Sequence, residues 1–191
     1  FKNSLAQKLT EAMRVDSTNI EGVKVIHQFR HDDERGAFVK PFHDADFKAA
    51  GIDFELKESF YSTSVKNVIR GMHFHAPPHA HSKIVFCTAG CVLDVALDLR
   101  KESPSYGQYA TQELCFQNNQ ALYIPEGFAH GFLSLTKEST LFYFVSGMYN
   151  PEADGGVRYD SFGLDWPVEG NAILSPRDLA FSSLQDFSSP F

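Results

Sequence analysis

Apolar residues along most of this chain recur at every second position in short runs, the period of a strand whose two faces meet different surroundings. The clearest run is Cys91 to Leu99, where Cys91, Leu93, Val95, Leu97 and Leu99 share one face and Asp94 and Asp98 lie on the other. That pattern predicts a half-buried strand with carboxylates on its second face. Val23 to Phe29, Ala37 to Phe42, Val68 to His75, Lys83 to Thr88, Thr111 to Phe116, Ala121 to Ile124, Gly131 to Leu135 and Thr140 to Val145 read as further strands, separated by turn residues. Many short strands at near-regular spacing predict an all-β sandwich or barrel. Two stretches break the pattern. Between Lys2 and Arg14 the residues Leu5, Leu9, Ala12 and Met13 fall at helical spacing, predicting a short amphipathic helix in an extension over residues 1–20, an appendage or a dimer contact. The tail from Pro167 onward is less regular and is expected to end in short helix or turn. Residues 21–191 are expected to form a single domain, with no linker, repeat or low-complexity tract inside them.

Composition supports that picture. Of 191 residues 43% are hydrophobic, enough to bury one core, and eighteen phenylalanines against a single tryptophan lean toward sheet rather than a helical bundle. A net charge of -7, with no block of lysine or arginine, gives no electrostatic footing for nucleic acid or a membrane surface as partner. An anionic ligand must therefore be met by a few local cations. Cys87, Cys91 and Cys115 are odd in number, lack CxxC spacing and sit in apolar runs. They predict buried free thiols in a reducing compartment rather than a disulfide framework or a zinc site. With no signal-peptide pattern and no apolar stretch of roughly 18 residues, the chain is expected to be cytoplasmic.

The densest polar cluster runs from Arg70 through His73, His75, His79 and His81 to Lys83. A strand over this segment places His73 and His75 on one face, a common way to line a site, while His79 and His81 read equally well as surface residues of a Pro-rich loop. Further on, Pro125-Glu126-Gly127-Phe128-Ala129-His130 sets a histidine just past a tight turn, where a satisfied core imidazole is an equal reading. Together, His73-x-His75, Lys83 ahead of Gly90, and Pro125-x-Gly127-x-x-His130 resemble the two motifs of the cupins. Metal-binding cupins carry a glutamate where Lys83 stands. An ammonium has no lone pair to offer a cation, so Lys83 argues for a cupin without metal in which the lysine stabilises charge developing on an oxygen. A metal set drawn from His73, His75, His79 or His81, and His130 remains the competing reading, and a sugar-nucleotide binding module without catalysis is a third.

Ordered motifs over residues 22–178 then resemble one family, the dTDP-4-dehydrorhamnose 3,5-epimerases. They are Asp33-Glu34-Arg35-Gly36, Ser62-Thr63-Ser64, Val68-Ile69-Arg70-Gly71-Met72-His73, Asp94 to Arg100, Ser103-Pro104-Ser105-Tyr106-Gly107, Ile124 to Phe132, Leu164-Asp165-Trp166-Pro167 and Ser175-Pro176-Arg177-Asp178. The resemblance implies a cupin-type jelly-roll β-barrel with short flanking helices, usually a homodimer. It also implies inversion of carbons 3 and 5 of a 4-keto-6-deoxy sugar on a nucleoside diphosphate, without cofactor or metal. His73 matches the family's base, Asp178 the carboxylate that orients it, and Tyr143 the proton donor on the other face, with Lys83 holding the enolate oxygen. Arg35 and Arg70 match positions that meet the nucleotide; surface ion pairing is the plainer reading of Arg35. Glu58, Ser62, His75, His130 and Arg177 complete the implied substrate contacts.

Departures concentrate on recognition. Glu58-Ser59-Phe60 stands where the family carries Gln-x-Asn, Tyr61 replaces a histidine, His75 a glutamine, Met148 the first of two tyrosines and Lys40 a glutamate. Loss of an amide pair and an aromatic platform changes hydrogen bonding and stacking with base and sugar. That pattern predicts an epimerase acting on a different nucleotide or a modified sugar, or inverting one carbon only, and ketoisomerase chemistry after the same deprotonation is the nearest alternative.

Overall fold

The computed structural model describes residues 13–191. Its elements in order are β1 (Arg14–Ser17), β2 (Lys24–His27), β3 (Phe29–Asp33), β4 (Gly36–Lys40), α1 (Asp44–Ala49), β5 (Glu58–Val65), β6 (Ile69–His75), β7 (Lys83–Ala89), β8 (Cys91–Asp98), β9 (Tyr109–Cys115), β10 (Gln120–Ile124), β11 (Phe128–Ser134), β12 (Glu138–Val145), β13 (Asp154–Gly156) and α2 (Pro176–Leu179). A six-stranded sheet runs β1-β2-β10-β7-β12-β5, a five-stranded sheet runs β13-β6-β11-β8-β9, and β3-β4 form a separate hairpin. Every strand pairing is antiparallel. The two larger sheets face one another as a jelly roll, the cupin-type barrel expected from the sequence.

Three apolar layers hold this arrangement. Val85, Cys87, Val92, Ala96, Leu114, Leu122, Phe132, Leu141 and Tyr143 fill the space between the sheets. Ile26, Ile84, Phe86 and Ala121 carry the outer face of the six-stranded sheet, covered by Phe47 of α1 with Ile52 and Phe54 just after it. The outer face of the five-stranded sheet is covered by Val157, Phe162 and Trp166 and by Leu184, Phe187 and Phe191 of the tail. The tail is tied down as well as packed: Ser189 Oγ donates to the Leu99 carbonyl, and Lys101 N–H to that of Phe191 at 3.3 Å.

This tail corrects the reading of the Cys91 to Leu99 strand. Val95, Leu97 and Leu99 do share a face, but Asp94 and Asp98 on the other are 0% exposed. Alternation distinguishes two faces without saying which meets water, and here one lies under the tail and the other lines the barrel. Asp98 keeps its charge there because Arg100, Ser103 and Ser105 all donate to it. Burial works against the carboxylate, yet those donors together hold its pKa below the usual range.

Three further expectations change. Cys91 and Cys115 stand opposite each other across β8 and β9 and are joined as a disulfide, leaving Cys87 as the buried free thiol. Counting cysteines along the chain carries no strand register, which is what brings this pair together. Most of the predicted N-terminal helix falls on residues 1–12, outside the described residues, while Arg14–Ser17 pair with β2 as a sheet-edge strand instead of continuing it. The structure also contains β3, β5, β13 and α1, which the patterning does not predict.

Candidate active site

Between the sheets, at one end of the barrel, opens a cavity of about 390 Å³. Strand parity explains most of what lines it. On β6, His73 and His75 share a parity and point inward, Arg70 joins them because the pairing with β11 slips by one residue between His130 and Phe132, and β5 brings Glu58, Phe60 and Ser62. Lys83 opens β7, Tyr143 and Val145 come from β12, His130 from β11 and Asp154 from β13. Arg177 comes from α2, with His81 and Tyr149 from the adjoining loops. Ten of the eleven residues singled out from sequence thus gather at one place: Asp178 does so by bonding His73 from behind, and Arg35 alone does not.

His73 and Asp178 form a dyad. The Asp178 carboxylate is 4% exposed and accepts from His73 Nε2 at 2.8 Å and from the Gly71 amide at 3.3 Å. Its own amide donates to Ser175 Oγ at 3.1 Å, the N-cap of α2, so the helix start fixes the carboxylate against β6. Burial opposes ionisation of Asp178, but the bond to His73, its charge, and the Gly71 and Ser175 contacts outweigh it and leave the pKa lowered. Because a carboxylate can only accept, Nε2 carries the proton, and in the neutral imidazole Nδ1 then keeps the lone pair. Phe181 braces the ring edge-on at 5.8 Å and is itself covered by the Arg177 guanidinium at 5.4 Å.

Tyr143 lies on the other sheet. It is 7% exposed, stacked on Phe60 at 4.6 Å and edge-on to His130 at 5.7 Å. Burial drives its pKa up, so the phenol keeps its proton throughout the ordinary pH range. His130 donates from Nε2 to Asp94 Oδ2 at 2.9 Å, and burial lowers its pKa despite that carboxylate. Lys83 donates to the His73 carbonyl at 3.3 Å. Burial pulls the ammonium down to a pKa of about 8, with Asp154 and Asp94 opposing the shift.

Toward the mouth, Arg177 pairs with Asp154 at 2.8 Å, and Arg70 donates to Ser64 Oγ at 3.1 Å and to the Thr63 carbonyl at 3.0 Å. Glu58 accepts from the Tyr149 amide at 3.0 Å. Arg35 instead occupies the turn of the β3–β4 hairpin, 85% exposed and paired with Asp33 at 2.5 Å, the plainer of its two readings within one protomer. The histidine cluster does not converge as a ligand set. Among the described residues, only Cys91, Glu113 and Cys115 form a trio of His, Cys, Asp or Glu with ligand atoms within 4.8 Å of one another, and two of those are the disulfide.

Of the Arg, Lys, Asp and Glu side chains that line the cavity, Asp154 is the one the sequence reading missed. Its strand is the three residues Asp-Gly-Gly, too short and too polar to leave a periodic signal. Phe181 was missed for a related reason, since a lone aromatic in an irregular tail reads as packing.

The family model described as dTDP-4-dehydrorhamnose 3,5-epimerase matches residues 17–186. The dTDP-4-dehydrorhamnose 3,5-epimerase of Escherichia coli K12 is 37% identical over 177 residues, covering 91% of this chain and 96% of that protein. A dTDP-4-dehydrorhamnose 3-epimerase of Streptomyces niveus is 39% identical over 169 residues, covering 87% of this chain and 81% of its own. Among solved structures, the dTDP-6-deoxy-D-glucose-3,5-epimerase of Legionella pneumophila Philadelphia 1, in complex with dTDP-4-keto-L-rhamnose, superposes with a TM-score of 0.88 at 33% identity. That match covers 92% of this chain and 95% of the other. With the dyad, the phenol and the lysine in one jelly-roll cavity, the chain belongs to the dTDP-4-dehydrorhamnose 3,5-epimerase family.

Proposed function

We propose that this protein inverts carbon 3, carbon 5, or both, of a 4-keto-6-deoxyhexose carried on a nucleoside diphosphate. The observation that carries the reading is the pairing of a base held by a carboxylate on one sheet with a protonated phenol on the other. Both carbons are α to the keto group, so their protons are acidic enough for a side-chain base once the enolate is stabilised. His73 Nδ1 takes the proton, the C–H electron pair forms the C=C bond, and the carbonyl π pair moves onto oxygen beside Lys83. Asp178 holds the imidazole in the tautomer this needs and stabilises the imidazolium. Reprotonation by Tyr143 from the opposite face inverts the centre. Arg70 and Arg177 supply the local cations that an acidic chain needs for a diphosphate.

The homodimer implied by the sequence resemblance belongs to the same proposal. It is supported by β5, which pairs only with β12 and leaves Tyr61 and Val65 64% and 57% exposed along an open sheet edge. Arg35 lies outside its own pocket, so in a dimer it is free to meet a nucleotide held by the partner.

Proton NMR in deuterated water with dTDP-4-keto-6-deoxyglucose tests the activity. Loss of the carbon 3 and carbon 5 proton signals with wild type, and not with His73→Ala, is expected for the double epimerase, and loss of one signal for the single epimerase. A product carrying its keto group at carbon 3 would replace the reading with ketoisomerisation. No exchange from any 4-keto sugar nucleotide would remove it.

A further inference from the structure

Outside the sugar pocket, the register of β8 against β9 sets Cys91 opposite Cys115 and Leu93 opposite Glu113. Residues two apart on a strand share a face, so Cys91, Cys115 and Glu113 stand together on one side of the strand pair. Val92 and Leu114 point the other way, into the apolar layer between the sheets. The trio therefore lies on the outer face of the five-stranded sheet, at its edge strand β9, with Glu113 exposed, Cys91 half-buried and Cys115 buried. Spacing along the chain hides this grouping, because the two cysteines are 24 positions apart.

One contact within the trio is not explained by the disulfide. Glu113 Oε1 lies 3.3 Å from Cys115 Sγ. A disulfide sulfur has no proton to give and a carboxylate can only accept, so two electron-rich atoms face each other with no hydrogen to share. The donor atoms of all three side chains lie within 4.8 Å of one another. Ligand pairs around a tetrahedral zinc ion, with bonds of about 2.0–2.3 Å, stand about 3.3–3.8 Å apart, and two sulfurs released from their bond repel to about the same separation. Two thiolates and a carboxylate make a soft, anionic set that suits zinc, whereas magnesium and calcium take oxygen ligands.

We propose that the reduced form of this protein binds one zinc ion through Cys91 Sγ, Cys115 Sγ and a Glu113 carboxylate oxygen, with water in the fourth position. An external dithiol gives up two electrons and two protons, closing to its own disulfide, and the Cys91–Cys115 bond becomes two thiols. Zinc then displaces both thiol protons and forms two Zn–S bonds and one Zn–O bond. Disulfide and zinc use the same sulfurs and exclude one another, and either one fastens the edge strand β9 to β8. The site shares no residue with the sugar cavity and does not depend on the epimerase reading.

Cobalt(II) titration of the full chain followed by displacement with zinc tests the site. A phosphine serves as reductant there, because a dithiol would itself chelate the metal. Reduced wild type is expected to take up one cobalt with a thiolate-to-metal charge-transfer band in the near ultraviolet, which one equivalent of zinc abolishes. The oxidised chain should show no such band, and Cys115→Ser should lose at least half of it. Glu113→Gln, at an exposed position that leaves the fold intact, should keep the band but bind zinc at least about tenfold more weakly, since a neutral oxygen replaces a charged one. A reduced wild type without the band, or cobalt held by the pocket histidines with no sulfur absorption, overturns the proposal. So does Glu113→Gln with wild-type zinc affinity, and so does a band of full strength in Cys115→Ser, which would assign the metal to Cys87.

Discussion

The proposed inversion needs two groups of opposite readiness, and the environments of His73 and Tyr143 suit them to those parts. Asp178 leaves the neutral imidazole its lone pair on Nδ1, while burial keeps the phenol protonated. Tyr143→Phe should therefore separate the two halves of the reaction. Deuterium still enters from the His73 face, but net inversion falls by about 10²- to 10⁴-fold, the usual contribution of a positioned acid. Solvent exchange and product stereochemistry, read in one NMR experiment, check this, and equal loss of both would assign Tyr143 a binding role. On the proposed mechanism Lys83 should set the alkaline limit. Its folded-state pKa is lowered to about 8, so the ammonium is present below that pH and lost as pH rises through it. The rate of exchange should fall with rising pH around pH 8. In Lys83→Arg, whose guanidinium stays charged, that limb should vanish even if the overall rate drops. A limb that survives the substitution belongs to another group.

At the level of elements, the site depends on how closely the tail lies against β13. A Cβ built on Gly156 would meet the Phe181 ring at 2.3 Å, and Phe181 in turn braces His73. Gly156→Ala should push Phe181 outward and leave the imbalance at His73, lowering kcat more than it raises KM. Overpacking of this kind costs about 1–3 kcal/mol, or about 2–10 °C in Tm for a chain this size. Thermal melting and steady-state kinetics separate the two effects; a full loss of stability with kcat unchanged would make Phe181 packing alone. The elements also differ in how far they can be read from sequence. The strands β6, β7, β8, β10 and β12 were legible because each alternates between two packed surfaces of different character. By contrast, β5 reads Glu-Ser-Phe-Tyr-Ser-Thr-Ser-Val, polar on both faces because one lines a cavity and the other lies at an open edge. That His73, Lys83, Tyr143 and Asp178 would come together at one cavity was legible through the family motifs. The two buried carboxylates of β8, Asp154 and the Cys91–Cys115 pair were not, since each depends on what the fold lays over or opposite the residue.

At the scale of the whole molecule, two exposed patches among the described residues are ones that a second copy would answer together. The edge strand β5 exposes Tyr61 and Val65 on the face away from the cavity, and the β3–β4 hairpin exposes Arg35 and Phe38, the latter at 55%. A stable dimer should appear in light scattering at twice the 21.4 kDa chain mass. Tyr61→Asp combined with Val65→Asp should shift it to monomer while far-UV dichroism stays unchanged, because neither side chain belongs to the three apolar layers. Arg35→Ala probes the functional side of the same arrangement. It should leave the mass unchanged and raise KM, because it removes a cation from the nucleotide rather than from the dimer contact. If the partner's Arg35 completes each site, mixing Arg35→Ala with His73→Ala should restore turnover at low substrate that neither variant shows alone. In a mixed dimer one cavity has both its own His73 and an intact arginine from the other chain. Absence of complementation in a demonstrated mixed dimer would confine Arg35 to the Asp33 ion pair seen within the protomer, and a wild type that stays monomeric at micromolar concentration would remove the dimer itself.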